Sequence, residues 1–231
     1  TIFRRQSKNQ FSIINGNLKY LIQKKIYKGK LVVSKYENYK KFKHMCKNSY
    51  LKLEINDENM SYVFTLSKLI GIRKKSFFNS LNNFKGLSHR YEIFYKKKNC
   101  IFINDSKATT FEASKFALKN SKNIFWIVGG LPKLKDKILL NPIKKNIVKI
   151  YIIGKNINFF KKQIQNKKSY SVSKTLKKSI IHILNDIRTY NLKENTILLS
   201  PASASFDQFL NFEKRGNEFK QLCKYYASKY I

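Results

Sequence analysis

The sequence predicts an α/β protein whose larger part is an open, mostly parallel sheet with helices on both faces. From about residue 84 onward, short apolar runs alternate with longer amphipathic stretches, which is the pattern of strands and helices in turn. Ile124–Val128 and Ile150–Ile153 are apolar at every position, as expected of parallel strands that helices cover on both sides. With 231 residues, of which 42% are hydrophobic, the chain is long enough to bury such a core.

The stretch before this sheet, 1–83, is predicted to be a separate part of the chain. Its short extended runs are Phe11–Ile14, Leu31–Ser34 and Tyr50–Ile55. Asn59 can cap a helix that ends at Gly71. The apolar face of that helix is expected to consist of Val63, Leu66, Leu69 and Ile70. A second short helix is predicted for Lys75–Leu81, so we place the domain boundary between residues 83 and 84.

The remaining part, 84–231, contains the predicted sheet. Its strands are expected at Tyr91–Tyr95, Cys100–Asn104, Ile124–Val128, Val148–Ile153 and Thr196–Leu199. Its helices are expected at Phe111–Lys119, Thr175–Tyr190 and Glu213–Lys229. The second of these helices carries an apolar stripe formed by Leu176, Ile180, Ile183, Leu184 and Ile187. Because ligands of such sheets bind beyond the carboxyl ends of the strands, the chemistry is expected there.

Charge is the most unusual global property of the sequence. The formal net charge is +35, with 48 Lys and Arg residues against 13 Asp and Glu residues. Clustered cations bind nucleic acids, but these cations are spread along the whole chain. They are also nearly all lysines, which lack the bidentate fork of arginine. We therefore do not expect nucleic acid to be the partner, although a Lys-rich nucleic-acid-binding protein stays an alternative.

Other global features exclude several classes of protein. No apolar run approaches the roughly 20 residues that span a membrane, and no apolar segment follows the polar opening TIFRRQSKNQ. The three cysteines are far apart without a C-x-x-C pair, so neither a disulfide framework nor a metal site is predicted. We expect a cytoplasmic monomer that does not insert into membranes. Because the chain opens with Thr1 rather than Met, we also expect residues upstream of it.

Three polar segments follow predicted strands. Asn104–Thr109 combines a carboxylate, hydroxyls and an ammonium before a helix and can hold an anion, although a capped helix with a solvated lysine would look the same. In Gly129–Lys133, paired glycines allow a ligand to approach the backbone beside a positive charge; an ordinary turn is the alternative. Ser200–Asp207 offers three serine hydroxyls, which suit a carboxylate.

Arg90 stands near the predicted domain boundary. A hinge there could carry its guanidinium to a phosphate, while an ordinary surface ion pair with Glu92 is the alternative. Serine hydrolase chemistry is not predicted, because the sequence has no G-x-S-x-G segment and no histidine near the serines.

The order of these segments resembles one enzyme family. The order is HR at 89–90, NDSKAT at 104–109, GG-x-x-K at 129–133 and LLSPASASFDQF-x-NFEKRGNEF at 198–219. It is similar to that of the UDP-N-acetylmuramoyl-L-alanine:D-glutamate ligases, whereas sister ligases would carry a DNPR-like or HHP-like segment in place of NDSKAT. The resemblance implies that 84–231 is a Rossmann-like C-terminal amino-acid-binding domain. It implies that 1–83 is the end of a central ATP-binding domain.

The resemblance also implies an activity, namely ATP- and Mg²⁺-dependent amide formation in peptidoglycan precursor synthesis. The carboxylate of UDP-N-acetylmuramoyl-L-alanine is phosphorylated, and the amine of D-glutamate then attacks the acyl phosphate. The implied D-glutamate site consists of Thr109, Lys133, Ser205, Phe206 and Phe212. Thr109 and Lys133 would bind one carboxylate, and the others the second. The residues expected to reach ATP are Arg90, Asp105, Lys107, Asn56 and Asn59, and catalytic roles are expected for Arg90 and Lys107.

The sequence departs from the family pattern in several places. Thr110 stands where Asn is usual, Ser203 where Cys is usual and Ile55 where His is usual. More importantly, no G-x-x-x-x-G-K-[ST] segment occurs, so nothing in this chain can hold the phosphates of ATP in that way. The magnesium ligands of the family are likewise expected upstream. We therefore predict that this polypeptide alone turns over no substrate.

A second ligase class is an alternative within the same architecture. Enzymes that resemble folylpolyglutamate synthase also add glutamate to an acceptor. The two classes differ in the enantiomer of glutamate and in the acceptor, so a comparison of D-glutamate with L-glutamate would separate them.

Overall fold

The computed structural model describes residues 5–21, 28–48, 50–84, 86–133 and 136–231. The chain divides into two compact units, Thr1–Gly86 and Leu87–Ile231. Each unit has a hydrophobic core of its own.

The first unit packs helices against a small parallel sheet. Its strands are β1 (Phe11–Asn15) and β2 (Lys30–Ser34). Its helices are α1 (Tyr36–Lys40), α2 (Asp57–Leu69) and α3 (Lys74–Asn82), with short 3-10 helices at Gly16–Leu21, Lys43–Met45 and Glu54–Asn56. The core is aromatic, because Phe64 packs against the rings of Tyr39, Phe42, Phe77 and Phe78.

The predicted strand Tyr50–Ile55 is wrong, because local hydrogen bonds hold this segment in turns. The Leu51 amide donates to Asn48 Oδ1 at 3.1 Å. Asn56 Nδ2 donates to the carbonyl oxygen of Tyr50 at 2.7 Å. Such bonds between side chains and backbone compete with the hydrogen-bond ladder of a strand.

The predictions for α2 are also wrong in two details. The helix begins at Asp57, so Asn59 lies within its first turn and does not cap it. The exposed fractions of Val63, Leu66 and Ile70 are 45%, 46% and 64%, so these residues do not form the buried face. Met60 and Phe64 are buried instead. The helix is rotated this way because Phe64 joins the cluster of aromatic rings, which buries more apolar surface than the aliphatic side chains would.

The second unit is built on a six-stranded sheet, and the sequence predicts five of its strands. The strands are β3 (Glu92–Lys97), β4 (Cys100–Asn104), β5 (Ile124–Gly129), β6 (Ile147–Ile153), β7 (Tyr170–Lys174) and β8 (Asn195–Leu199). Their spatial order is β3-β4-β8-β5-β6-β7. All neighbours pair in parallel except β3, which runs antiparallel to β4 at one edge. The mostly parallel sheet confirms the predicted fold class.

Four helices cover the two faces of this sheet. They are α4 (Phe111–Asn120), α5 (Ile157–Ile164), α6 (Leu176–Tyr190) and α7 (Phe212–Tyr230). Residues of α4 and α5 share one buried cluster with Trp126 and Ile152, while α6 and α7 share the other with Phe125 and Tyr151. Alternate residues of β5 and β6 therefore enter opposite clusters, as expected of strands covered on both sides. The predicted stripe of α6 is confirmed, since all five of its residues are buried.

Two elements of the second unit have no counterpart among the predictions. β7 has the sequence YSVSK and lies at an edge of the sheet, so it lacks the apolar run of a central strand. α5 spans only 8 residues, which is too short for a clear helical period.

The position of β8 determines which segments meet at the carboxyl edge of the sheet. β8 is the last strand in the chain but lies between β4 and β5. The segments that follow these three strands are therefore neighbours in space, although they are far apart in sequence.

None of the helices in the described part of the chain is both long and apolar enough to span a bilayer.

Phe64→Ala is expected to destabilise the first unit by about 3–5 kcal/mol, because it removes a ring from the packed core. Leu66→Ala is the matched control and should cost less than about 1 kcal/mol, since Leu66 is nearly half exposed. Urea unfolding followed by circular dichroism measures both. An equal loss in the two variants, or a larger loss for Leu66→Ala, would contradict the observed rotation of α2.

Candidate functional site

Backbone hydrogen bonds join the three segments at the carboxyl edge of the sheet. The Asp105 amide, after β4, donates to the carbonyl oxygen of Leu199 at the end of β8, at 2.8 Å. Leu131, after β5, and Ala204, after β8, exchange two hydrogen bonds of 2.8 and 3.0 Å. The three motifs singled out in the sequence thus form one continuous surface.

The paired glycines Gly129 and Gly130 allow this close approach. Their φ angles are 133° and 138°, a backbone conformation that L side chains rarely adopt. A Cβ atom on Gly130 would lie 2.3 Å from the Ala204 carbonyl oxygen, and one on Gly129 would lie 2.1 Å from that of Ile153. The glycines are therefore needed so that neighbouring backbone can pack against them.

Asp105 is turned inward and connects two of the segments. Only 8% of the residue is exposed. Its Oδ2 accepts a hydrogen bond from Ser200 Oγ at 2.7 Å, and its Oδ1 accepts one from the Tyr91 amide at 3.1 Å. Burial raises the pKa of Asp105 to about 6, although these two donors and the charge of Arg90 act in the opposite direction. Both carboxylate oxygens are thus already engaged within the protein.

Arg90 is exposed and lies between two residues of unusual backbone geometry. His89 and Tyr91 have φ angles of 64° and 44°, in the left-handed region that residues other than glycine seldom occupy. The His89 amide donates to Glu92 Oε2 at 2.9 Å, and the His89 carbonyl accepts from the Lys107 amide at 3.1 Å. These contacts hold the backbone so that Arg90 faces solvent. The charge of Arg90 is close enough to Asp105 to act against the rise in the pKa of that carboxyl.

The alternative of a surface ion pair between Arg90 and Glu92 is not what the structure shows. Glu92 Oε1 pairs with Lys220 Nζ at 3.0 Å instead. Its Oε2 accepts hydrogen bonds from the His89 amide and from Asn104 Nδ2. Glu92 therefore supports His89, while the guanidinium of Arg90 is left for other contacts.

Lys107 and Phe212 lie side by side. Lys107 is exposed, and its Nζ lies 5.0 Å from the centre of the Phe212 ring, within the range of a cation–π contact. The Phe212 ring also makes an edge-to-face contact with His89, with ring centres 5.9 Å apart. The Phe212 carbonyl oxygen accepts a hydrogen bond from Ser106 Oγ at 2.8 Å. Phe212 thus holds the segment after β4 against the start of α7.

The remaining residues predicted for the D-glutamate site lie on the same three segments. Thr109 is half-buried directly before Thr110, whose hydroxyl caps α4 by accepting from the Ala113 amide. Lys133 is exposed after the Leu131–Ala204 bridge. Ser205 is buried, whereas Phe206 beside it is 69% exposed.

Asn56 and Asn59 belong to the first unit, and the structure does not bring them to a common contact. The Asn56 amide group is bonded to the Tyr50 carbonyl, and Asn59 is exposed on α2. A cavity of about 520 Å³ opens near the ends of β1 and β2, but neither asparagine lines it. It is lined instead by carboxylates, namely Glu37, Glu54, Asp57 and Glu58, together with polar neighbours. The side chain of Ile55 lies outside the described part of the chain.

The sequence reasoning did not identify Arg215, which is the most buried cation near the site. Only 1% of it is exposed. It bonds to Ser106 and to Ser203, so it touches the segments after β4 and β8. One signal was available, because Arg215 is one of only six arginines in a chain that otherwise uses lysine.

His89 and Gly216 form a second contact that the sequence reasoning missed. A Cβ atom on Gly216 would lie 2.2 Å from His89 Nδ1, so glycine is required where α7 approaches this ring. Burial, together with the nearby charge of Lys220, lowers the pKa of His89.

In the described residues, no group of three or more His, Cys, Asp or Glu side chains is placed to hold a metal ion.

Comparisons with known proteins identify similar chains. No family model matches the sequence. The UDP-N-acetylmuramoylalanine–D-glutamate ligase of Rhizobium meliloti is 38% identical over 164 residues, which are 71% of this chain and 35% of that protein. The enzymes of the same name from Nitrobacter hamburgensis and Wolbachia sp. subsp. Brugia malayi are 36% and 37% identical over 169 residues each, or 73% of this chain. They are covered to 36% and 34% of their own length, so this chain spans about a third of these relatives.

A solved structure shares the fold. MurF from Acinetobacter baumannii superposes with a TM-score of 0.51 at 15% sequence identity, covering 73% of this chain and 38% of that one. At this level of identity the likeness supports the architecture alone.

Gly130→Ala is expected to destabilise the second unit by more than about 3 kcal/mol, because the new methyl group would collide with backbone and the φ angle is strained. Gly71→Ala is the matched control. Gly71 also has a positive φ of 74°, but nothing lies within 4 Å of the added Cβ, so about 1 kcal/mol is expected. Both variants are unfolded with denaturant. The fluorescence of Trp126, the single tryptophan, follows the second unit in Gly130→Ala, and circular dichroism follows Gly71→Ala. Equal small losses would show that the two segments do not pack as observed.

Asp105→Asn is expected to change how stability depends on pH. The pKa of Asp105 in the folded chain is about 6, above its ordinary value of 3.8. The folded state therefore holds this proton more tightly, and the stabilisation is present at low pH and lost as the pH rises through 6. The difference in unfolding free energy, variant minus wild type, should increase by about 2 kcal/mol between pH 4 and pH 7.5.

Taking the difference removes the pH dependence that the two proteins share. Glu112→Gln is the control, since Glu112 is exposed on α4 and pairs with Lys115 rather than being buried, so its removal should not make the difference increase with pH. A difference for Asp105→Asn that is constant, or that falls as the pH rises, would contradict the inward position of this carboxyl.

Proposed function

We propose that this chain supplies the D-glutamate site of a UDP-N-acetylmuramoylalanine–D-glutamate ligase, because it is homologous to these enzymes over most of its length. The single observation that carries the proposal is the meeting of the motif segments after β4, β5 and β8 at one edge of the sheet. The reaction is the addition of D-glutamate to UDP-N-acetylmuramoyl-L-alanine in peptidoglycan precursor synthesis. ATP, with Mg²⁺, supplies the phosphoryl group that activates the acceptor carboxylate.

Two carboxylates of D-glutamate have separate sets of donors in this proposal. Lys133 and Thr109 are exposed or half-buried at the rim and provide an ammonium and a hydroxyl for one carboxylate. Ser205 and the backbone beside Phe206 and Phe212 provide donors for the other. The exposed ring of Phe206 would cover the aliphatic part of the amino acid and exclude water from it.

Arg90 and Lys107 are the residues proposed to face the phosphoryl group. Both are exposed cations, and the Lys107 backbone is bonded to the residue before Arg90. Two exposed cations at one rim fit a polyphosphate by charge. Asp105 would support them from inside, since its carboxylate holds the Tyr91 amide beside Arg90. A cation that reaches the transferring group stabilises the negative charge that develops there.

The first unit is proposed to be the end of an ATP-binding domain, and its sheet supports this. β1 and β2 form a parallel pair, and α2 contacts one face of it through Ser61, which bonds to Ser34. Phe11 and Leu31 are exposed on the strands. Parallel sheets are normally covered on both faces and seldom consist of two strands. We therefore infer that further strands of the same domain extend this sheet in the complete protein.

Several parts of the proposal concern the complete enzyme rather than this chain. Four points stay predictions: the contacts of Asn56 and Asn59 with ATP, the binding of Mg²⁺, a cytoplasmic location and a monomeric state. That this chain alone turns over no substrate also stays a prediction, and it rests on the lack of a P-loop segment in this sequence.

Binding of D-glutamate to the purified chain tests the proposal. Isothermal titration calorimetry should show saturable binding of D-glutamate and at least about tenfold weaker binding of L-glutamate, because two carboxylates and an amine fix the handedness of the ligand. Lys133→Ala should weaken the binding of D-glutamate by about tenfold or more through loss of a charged donor.

Lys122→Ala is the matched control, since Lys122 is an exposed lysine before β5, at the opposite end of that strand from Lys133, and its loss should leave binding unchanged. Equal binding of both enantiomers, or preference for L-glutamate, would favour the folylpolyglutamate-like alternative. Binding that is unaffected by Lys133→Ala would remove Lys133 from the site.

A further inference from the structure

Arg215 is a buried cation that joins two of the site-forming segments. Its Nε donates to Ser106 Oγ at 3.0 Å, and its Nη2 donates to the Ser106 carbonyl oxygen at 2.8 Å. The same Nη2 donates to the Ser203 carbonyl oxygen at 3.1 Å. One side chain on α7 therefore connects the segment after β4 with the segment after β8.

Within the described part of the chain, no ion pair matches the charge of Arg215. Its Nη1 has no hydrogen-bond partner among the residues that the structure describes. Asp207 acts on it only at a distance, since Asp207 Oδ2 instead accepts a hydrogen bond from the Lys155 amide. Burial lowers the pKa of Arg215 to about 10, so the guanidinium is still protonated at neutral pH.

Burying a charge without a counter-ion costs free energy of folding, so the presence of Arg215 here calls for an explanation. Polar groups that are removed from water normally find partners, and charges normally find counter-ions. The described contacts of Arg215 are serine oxygens, which leave its positive charge uncompensated. An uncompensated positive charge in a region of low dielectric attracts an anion nearby more strongly than an exposed lysine does.

The free Nη1 lies against the segments that contain the proposed carboxylate donors. A Cβ atom on Gly130 would lie 3.2 Å from Nη1 and 2.6 Å from Ser203 Oγ. Ser203 begins the stretch 203–206, which includes Ser205 and Phe206. The charge is thus placed beneath the part of the edge where the proposed function needs to attract an anion.

We propose that Arg215 is a positioning residue for the D-glutamate carboxylate at Ser205, because it fixes the segments 105–110 and 203–206 to each other and leaves its own charge uncompensated beneath them. This inference rests on the proposed function for its ligand. The connection that Arg215 makes between the two segments, which we call the joint, does not depend on that function. Lysine could not replace arginine here, because one ammonium cannot reach three acceptors in the planar arrangement of the guanidinium.

Two variants separate the joint from the charge. Arg215→Lys keeps the positive charge but loses the fork, whereas Arg215→Met keeps much of the volume and loses both. Lys214→Met is the matched control, because it removes one positive charge from the adjacent, exposed position. Thermal unfolding shows for each variant whether the chain is folded at the temperature of the measurements.

Hydrogen exchange of the ligand-free chain tests the joint. In Arg215→Lys, the amides of 105–110 and 203–206 should exchange about tenfold faster than in the wild type, while those of β5 and β6 keep their wild-type rates. In Lys214→Met, all of these amides should exchange at wild-type rates. Unchanged exchange in both segments of a folded Arg215→Lys variant would overturn the proposal. This readout remains decisive if Arg215→Met does not fold.

Affinity for D-glutamate and for its two monoamides tests the charge. The monoamides are D-glutamine and D-isoglutamine, each of which lacks one of the two carboxylates. Arg215→Met should weaken D-glutamate binding by about tenfold or more, with a clearly smaller loss for the monoamide that lacks the carboxylate at Ser205. Arg215→Lys should keep most of this discrimination, and Lys214→Met should change no affinity.

A purely structural role would lower the affinity for all three ligands by the same factor, and that result would overturn the assignment. If the wild-type chain binds no D-glutamate but the two segments exchange faster in Arg215→Lys, the joint is supported and the proposed function has failed. The two failures are thereby distinguishable.

Discussion

The placement of β8 between β4 and β5 is the constraint on which the candidate site depends. It sets Ser200 beside Asp105 and Ala204 beside Leu131, although these residues are separated by about a third of the chain or more. The buried Trp126 on β5 adds to the same junction by donating its indole N–H to the Ser200 carbonyl at 2.7 Å. If β8 lay at an edge of the sheet, the serine-rich segment would be remote from the other two motifs and no common surface would exist.

Two buried charges of opposite sign stabilise this junction without pairing with each other. Asp105 accepts a hydrogen bond from Ser200, and Arg215 donates to Ser106 and Ser203, so both connect the segment after β4 with the segment after β8. Burial acts against each charge, raising the pKa of the acid and lowering that of the base. The two buried charges hold backbone segments together, whereas Arg90, Lys107 and Lys133 are exposed at the edge of the sheet.

Sequence patterns could predict the sheet because its central strands are apolar on both faces, as Ile124–Val128 illustrates. They could not predict β7, whose polar edge position leaves no such pattern, or the rotation of α2, which is set by packing around Phe64. Arg215 and His89 lie within the quoted motifs, but patterns could not predict their roles, because these arise from neighbours distant in sequence, Ser106 and Gly216 among them. The order of the motifs suggested a common site, but the contacts that hold it together depend on tertiary structure.

A titration of the isotopically labelled chain with D-glutamate, followed amide by amide by nuclear magnetic resonance, tests the central claim most directly. The account predicts saturable chemical-shift changes confined to 105–110, 129–133 and 203–212, with much smaller changes for L-glutamate. These three stretches are adjacent only because of the strand order of the second unit. Changes that are absent, scattered over the Lys-rich surface or equal for the two enantiomers would contradict the account.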